Sequence, residues 1–453
     1  VSDWLFAEQL TFGSSASRVG LVTLWTSQKR YRDLAPALYR VMGNLYSADG
    51  VNYIARNVLA HPDQVRVLVV CGSDGLLEST GVRQALREWR VTDLMIPAEA
   101  VDWLRANVPL NQVEMPDLTS HLAVENERVN ALGPVDRPPA HFPFPDQTTA
   151  AFPSELTGMR VLWSSVYDAW IDALRHVLRF GVREGRRTFL LNLVSVIDGD
   201  DDRRPGFVSA ERVGDYAEKF LVPDKDPDVT YTYGNRLLRW GEEASRGDRR
   251  GSPPGINLVE AAVEKLRGDL LSSRCVLDLW DNRIDLDSDE PPCLTQVIMQ
   301  GVGGLDGDGR PRRLFATAIY RSHDLYRAYF LNLVALRRLQ RVVADQLGWQ
   351  VGTLTTISVH AHVYEWDLEA ARVEVAAAGR PVCRYDPRGN LAFTQRDGQT
   401  VAILYAPDGR RVTEYVGYPR RILQHLLDED ALSQPSHWSY VTRELAGLHD
   451  TDP

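Results

Sequence analysis

Apolar residues fall at three- and four-residue intervals from Tyr167 to Phe180, where Trp170, Ala173, Leu174, Val177 and Leu178 share one face, and this spacing predicts a helix. The same spacing predicts a helix over Leu258 to Leu271. Leu325 to Leu347, rich in Leu, Val and Ala, reads as a long buried helix. Short runs rich in β-branched and apolar residues predict strands at Val19 to Trp25, Val65 to Val70, Phe189 to Ile197 and Cys275 to Trp280. Leu34 to Leu45 reads as a helix with Pro36 in its first turn, where a missing N–H does no harm. Gly50 to Leu59 and Gly81 to Trp89 also read as helices, and Asp386–Gly389 and Pro407–Gly409 as hairpin turns. The run ending in Cys71-Gly72-Ser73-Asp74-Gly75 gives strand, glycine turn and helix, hence an α/β layer with a crevice at its strand ends. Those glycines follow neither G-x-G-x-x-G nor the P-loop spacing, so no nucleotide site is predicted there. There is no internal repeat.

The periodicity breaks between Gly133 and Pro153, where GPVDRPPAHFPFPDQTTAAFP carries six prolines. Proline removes backbone donors and holds its predecessor extended, so this segment predicts a linker. The expected organisation is an α/β domain over 1–133, a linker over 134–158 and a larger α+β domain over 159–453. Arg246 to Gly255 is a second polar stretch and reads as a loop. A length of 453 residues suits two cores better than one. The net charge of −10 argues against general nucleic-acid binding but leaves room for a local basic pocket. Cys71, Cys275, Cys293 and Cys383 are scattered without a C-x-x-C pair, which speaks against a zinc site or a disulfide framework. With no long apolar run and no leader-like start, the expected compartment is the cytoplasm, with no membrane partner.

The candidate chemistry is concentrated in three segments. Pro291-Pro292-Cys293 offers a thiol on a stiffened backbone, and a thiolate needs a neighbouring positive charge to become a good nucleophile. Downstream stands Tyr320-Arg321-Ser322-His323-Asp324, whose guanidinium suits a phosphate. Asn332 follows; its amide can donate and accept together, which matches N3–H and O4 of uracil. In His360-Ala361-His362-Val363-Tyr364, strand alternation puts His360, His362 and Tyr364 on one face. No cysteine or carboxylate completes a metal set with them, so no metal is expected.

Taken in order, these segments resemble the active-site sequence of the thymidylate synthase and pyrimidine nucleotide hydroxymethylase family, and the R-S-H-D spelling is closest to archaeal members. The resemblance spans roughly residues 162–453 and implies an α+β fold of that type. It implies that Cys293 adds to C6 of a pyrimidine nucleoside monophosphate and that Arg321 and Ser322 hold the phosphate. Asp324 would bind the base through its backbone, Asn332 would read uracil, and His362 and Tyr364 would hold the ribose. The co-substrate implied is 5,10-methylenetetrahydrofolate. Tyr233-Gly234 resembles a family Tyr-Gly pair and puts Tyr233 among the catalytic residues, with Glu218 in DYAEKFL as the general acid/base. Ser273-Arg274 stands where the family has Arg-Arg reaching from the partner subunit, which implies a homodimer with Arg274 as a phosphate ligand. Arg187, in the loop 181–188, is a further phosphate candidate. The family's tryptophan-rich segment is replaced by Asp226-Pro227-Asp228-Val229-Thr230, and its apolar C-terminal tail by Thr451-Asp452-Pro453. The reaction implied is transfer of a one-carbon unit to C5 of a uridine nucleotide, dUMP or UMP, giving the 5-methyl product. Both losses open the alternative of water capture to a 5-hydroxymethyl product, and the non-enzymatic alternative is a catalytically silent nucleotide-binding module. Residues 50–86 resemble the corrinoid-binding subunit of the tetrahydromethanopterin methyltransferase. They lack a histidine suited to cobalt, since His61 opens a Pro-Asp turn, and this implies a structural or docking role.

Overall fold

A computed structural model describes residues 4–73, 80–93, 95–138, 152, 154–226, 229–241, 255–304, 311–379 and 386–448. Most of the proline-rich segment, the loop over 246–254, Asp74, Gly75, Pro227, Asp228, Cys383 and the last five residues lie outside these. Backbone proximity divides the chain into two units, Val1–Thr148 with Pro381–Pro453, and Thr149–Arg380.

The N-terminal segment builds a five-stranded sheet from β1 (Thr11–Phe12), β2 (Val19–Val22), β3 (Val41–Gly43), β4 (Val67–Val70) and β5 (Leu110–Gln112), in the order β1-β3-β2-β4-β5. All neighbours are parallel except β1 with β3. Helices α1 (Gly50–Ala60), α2 (Thr80–Arg87), α3 (Ala98–Asn107) and α4 (Leu118–Asn130) accompany it. Val22, Leu68 and Val70 pack with α1, α2 and α3, while Leu21, Val67 and Val69 pack with Leu118 and Leu122 of α4. Burial on both faces explains why β2 and β4 are apolar at nearly every position. The helix expected over Leu34 to Leu45 is absent; a 3-10 turn, Pro36–Leu38, leads into β3 instead. Val41 and Met42 pair with Gly20 and Leu21, so sheet pairing overrides the local helical pattern. His61 ends α1 and stacks on Trp4 with ring centroids 4.4 Å apart.

The middle unit is organised by a mixed eight-stranded sheet. Its elements are β6 (Arg160–Trp163), α5 (Val166–Phe180), β7 (Val182–Glu184), β8 (Arg187–Ile197), α6 (Ala210–Lys219), α7 (Tyr233–Leu238), α8 (Leu258–Gly268), β9 (Val276–Asp278), β10 (Leu294–Val302), β11 (Arg313–Tyr320), β12 (His323–Asp324), α9 (Tyr329–Leu347), β13 (Gln350–Tyr364) and α10 (Leu368–Ala377). The strand order is β6-β8-β13-β11-β10-β9, with β7 beside β8 and β12 beside β13. The expected 181–188 loop is thus a hairpin, turning at Gly185, whose φ of 55° suits glycine. Parallel β11 and β13 are joined through α9. That helix begins four residues later than its apolar run suggests and stops at Gly348, which takes the left-handed conformation at φ 70°. Leu333, Leu336, Leu339 and Val343 of α9 are buried, each contributing roughly 1.5–3 kcal/mol. Trp170 of α5 is fully buried and donates its indole N–H to Leu325 O at 2.8 Å, fixing the entry to α9. Along β8, β11 and β13 buried positions alternate with partly exposed ones, so helices cover one face of the sheet, and Val194, Val196, Thr317, Ile319, Thr355 and Ile357 lie on the other.

Beyond residue 385 an antiparallel meander of β14 (Asn390–Arg396), β15 (Gln399–Tyr405) and β16 (Arg411–Gly417) packs with α11 (Pro419–Asp428) and α12 (Pro435–Gly447). Leu391, Tyr415, Ile422, Leu426 and Val441 form its own core. The turn expected at Pro407–Gly409 joins β15 to β16. The one expected at Asp386–Gly389 leads into β14, and Asp386 also accepts from the Ser433 N–H at 2.9 Å. Among the described residues no helix is long and apolar enough to cross a membrane.

Candidate active site

Parallel β11 and β13 are joined through α9, and the carboxyl ends of such strands are the usual place for a ligand. Cys293 immediately precedes β10, and Leu294 pairs with Tyr320 at the end of β11. This register delivers Arg321 to Cys293: the Arg321 N–H donates to Cys293 O at 2.9 Å. The guanidinium then turns back, with Nε donating to Pro292 O at 2.9 Å and Nη2 to Pro291 O at 2.8 Å. It also lies over Trp280, 5.6 Å from the ring centroid. Prolines leave their carbonyls on a stiff backbone, so the pair acts as a fixed seat for the arginine beside the thiol. Burial pushes the Cys293 thiol above its ordinary range; Arg321 pulls it down, Asp324 pushes it up and Arg187 pulls it down. The activating arginine is present, yet desolvation outweighs it in the free protein.

Asp324 is committed locally. Its Oδ1 accepts the Tyr326 and Arg327 N–H groups, both at 3.0 Å, which fixes the turn into α9. Burial pushes its carboxyl above the usual range. Ser322 sits at the bend between Arg321 and β12, partly buried. On β13, His362 is 2% exposed. Burial pushes its imidazole down to about 4, so the ring is neutral near pH 7. Its Nδ1 lies 3.3 Å from both His360 O and His360 Nδ1, and its Nε2 has no hydrogen-bond partner among the described residues. Tyr364 lies opposite Arg187 in the β8–β13 register. Its hydroxyl accepts from Arg187 Nη2 at 3.3 Å, and its ring stacks on Trp366 at 4.6 Å. His360 stacks on Phe189 at 4.4 Å.

Three tyrosines lie near Cys293. Tyr233, at the start of α7, accepts the Leu294 N–H on its hydroxyl at 3.2 Å. Tyr231 lies edge-on to Tyr233, with ring centroids 5.7 Å apart, and close to Cys293. Burial raises the hydroxyls of both well above or above the ordinary tyrosine value. Tyr216, from α6, donates to Asn332 Oδ1 at 2.6 Å. Asn332 is 3% exposed in the first turn of α9 and reaches His323 Nε2 through Nδ2 at 3.2 Å. His323 Nδ1 in turn meets Ser358 Oγ at 2.8 Å.

The arrangement brings Arg321, Arg187, Asp324, Tyr216 and Tyr233 within electrostatic reach of Cys293, with Asn332 joined through Tyr216, His362 and Tyr364 joined through Arg187, and Ser322 next to Arg321 in the chain. It does not bring Glu218 or Arg274 there. Glu218 is exposed, two residues from Tyr216 and so about 200° around α6 at 3.6 residues per turn. Tyr216, with Val213, Ala217 and Phe220, belongs to the i, i+3, i+4, i+7 stripe that packs inward. That stripe was the signal available in the sequence, and it points to the tyrosine rather than the carboxylate. Arg274 is exposed before β9; Cys275 O accepts from Met299, six residues along β10 from Cys293 and thus about 20 Å away at 3.3 Å per residue. Tyr231, Tyr320, His323 and Ser358 are further members of the cluster that the sequence reading did not single out.

The family model described as thymidylate synthase matches residues 165–397, which contain all of these groups and leave out the N-terminal segment. Relatives named "Putative thymidylate synthase" come from archaea. That of Methanothermobacter marburgensis is 38% identical over 166 residues, 37% of this chain and 65% of the relative. That of Methanosarcina acetivorans is 30% identical over 214 residues, 45% of this chain and 89% of the relative. The chain thus spans a little under two thirds of the Methanothermobacter marburgensis relative and nearly all of the Methanosarcina one.

Proposed function

Since this chain belongs to the thymidylate synthase family, we propose that it transfers a one-carbon unit from 5,10-methylenetetrahydrofolate to C5 of a uridine monophosphate, with Cys293 as the covalent nucleophile. The observation that carries this reading is the seat of Arg321 on the Pro291 and Pro292 carbonyls, which ties a phosphate-binding cation to the thiol. In this reading Arg321 and Ser322 hold the phosphate, with Arg187 reaching in from the β7–β8 hairpin. His362 Nε2 accepts from a ribose hydroxyl, and Tyr364 contributes its phenol. Asn332 accepts from N3–H and donates to O4 of the uracil. The Cys293 sulfur adds to C6, and the electron pair moves through C5 to O4, which makes C5 the nucleophile. The folate co-substrate supplies the carbon and, for a methyl product, the hydride. The C5 proton passes to a solvent water beside the Tyr216, Tyr231 and Tyr233 hydroxyls, and elimination restores the thiol.

A second ending, capture by water to give a 5-hydroxymethyl product, draws support from the exposed Val229 and Thr230 just before Tyr231, where a water-excluding apolar segment is lacking. Arg274, remote from its own Cys293, fits a phosphate site completed across a homodimer. The uncovered face of the sheet offers the apolar surface for that pairing. The segment 1–133 takes a structural or docking role in a cytoplasmic enzyme. The test is to incubate the protein with methylenetetrahydrofolate and dUMP, UMP, dCMP or CMP and to weigh the products. A gain of methyl or hydroxymethyl on a uracil nucleotide, lost in Cys293→Ser, supports the proposal. No product on any nucleotide, or full turnover by Cys293→Ser, removes it.

A further inference from the structure

We propose that His323 is a positioning residue that sets which pyrimidine this site reads, by fixing the orientation of the Asn332 amide through a hydrogen-bond chain anchored at Ser358. The proposal rests on the reading of Asn332 as the group that meets the base.

An amide distinguishes uracil from cytosine only if its oxygen and nitrogen are held in known places. Uracil offers N3–H as donor and O4 as acceptor; cytosine reverses both. An amide rotated by 180° therefore reads the other base. In this chain the rotation is opposed from two sides. The Tyr216 hydroxyl donates to Oδ1 at 2.6 Å, and Nδ2 points at His323 Nε2 at 3.2 Å. Nδ2 has only hydrogens to offer, so Nε2 must accept. His323 is 1% exposed, and burial holds its ring neutral, leaving a single ring proton. That proton must then sit on Nδ1 and be donated to Ser358 Oγ at 2.8 Å. Stacking on Tyr320, 3.9 Å away at 11°, holds the ring plane.

Ser358 is fully buried on β13, while the group that meets the base belongs to α9. Removing its hydroxyl leaves Nδ1–H without an acceptor. The proton then moves to Nε2, which becomes a donor facing the Asn332 nitrogen. The amide turns over, and the site comes to favour cytosine. A serine two links away from the substrate thus controls base choice.

The experiment measures dissociation constants of the full-length protein for UMP, CMP, dUMP and dCMP by calorimetry, in the wild type, Ser358→Ala and His323→Gln. The glutamine amide can face Asn332 with either end. We expect the wild type to favour uracil and the uracil-to-cytosine ratio to fall at least about tenfold in Ser358→Ala, with a smaller fall in His323→Gln. Loss of packing alone weakens both bases equally and leaves the ratio in place. A ratio unchanged in both variants overturns the proposal, as does a wild type without preference. A wild type that binds none of the four nucleotides overturns instead the functional reading beneath it. Should Ser358→Ala not fold, the ratio in His323→Gln decides alone.

Discussion

Replacing Tyr216 by Phe should damage this protein more than replacing Glu218 by Ala, although Glu218 is the charged residue. The ring of Tyr216 packs with α9, and phenylalanine keeps that packing. What goes is one O–H donor, aimed at Asn332 Oδ1 at 2.6 Å. Asn332 is 3% exposed, so water does not readily replace the donor. A buried acceptor left unpaired costs about 1–3 kcal/mol, roughly a five- to 150-fold shift in the folding equilibrium. The Asn332 amide also loses one of its two anchors, so nucleotide affinity and turnover should fall with stability. Glu218 is exposed on the outer face of α6, where truncation changes stability by about 0.5 kcal/mol or less. Urea unfolding followed by tryptophan fluorescence gives the stabilities, and product formation gives the activities. If Glu218→Ala abolishes turnover while Tyr216→Phe stays within about 0.5 kcal/mol of the wild type, then the face of α6 that meets the site has been assigned wrongly.

Two further outcomes follow from the electrostatics. Burial holds the Cys293 thiol above the ordinary cysteine value of 9.0, so alkylation by iodoacetamide should still be accelerating at pH 9. Arg321→Gln should move that profile higher, and a plateau near neutral pH would show that the thiolate already dominates. His323 is held near a pKa of about 3 against 6.5 for an ordinary histidine. Between those values the unfolded chain binds the extra proton, so this stability is present above 6.5 and is lost as pH falls. The loss amounts to about 2 kcal/mol by pH 5. His323→Leu should flatten the dependence of the urea midpoint between pH 7 and 5; an unchanged slope would mean that the imidazole protonates freely in the folded state.

The parts of the site legible in the sequence are those set by local spacing. Pro291 to Cys293 and Arg321 to Asp324 are short words, and one antiparallel pairing, Leu294 with Tyr320, is enough to bring them together. What escaped was set by orientation or by distant contact. On α6 the choice of Glu218 followed chemical type, whereas the helical period had already turned that residue outward. The stretch from Leu34 to Leu45 has a helical local pattern but forms β3, because its partner β2, some twenty residues away, supplies hydrogen bonds that no local pattern announces. His323 looked like one letter of a phosphate motif; its bond to Ser358, 35 residues on, exists only because β12 lies parallel to β13.

The course of β13 shows why polar residues at period two carried so much information. Leu354, Thr356 and Ser358 are buried on the helix-covered face of the sheet, and His360, His362 and Tyr364 continue the same parity. Beyond Ser358 the fully buried apolar positions are Ala361 and Val363, so the core changes parity beside Asn192 of β8, whose φ is 49°, and the hydroxyl stripe passes into imidazole and phenol as it leaves the core face. A strand cannot shift by one residue without exposing Leu354, so the core fixes the register that aims the binding groups. Burial then does chemical work on them: His362 is neutral because the core that positions it also desolvates it. An imidazole held neutral in this way offers one hydrogen-bond acceptor at neutral pH where a solvated histidine would be part charged. A strand whose core changes parity therefore marks the place where packing gives way to recognition, and in this chain the change lies toward the carboxyl end of β13, the strand that borders both β8 and β11 among the described residues.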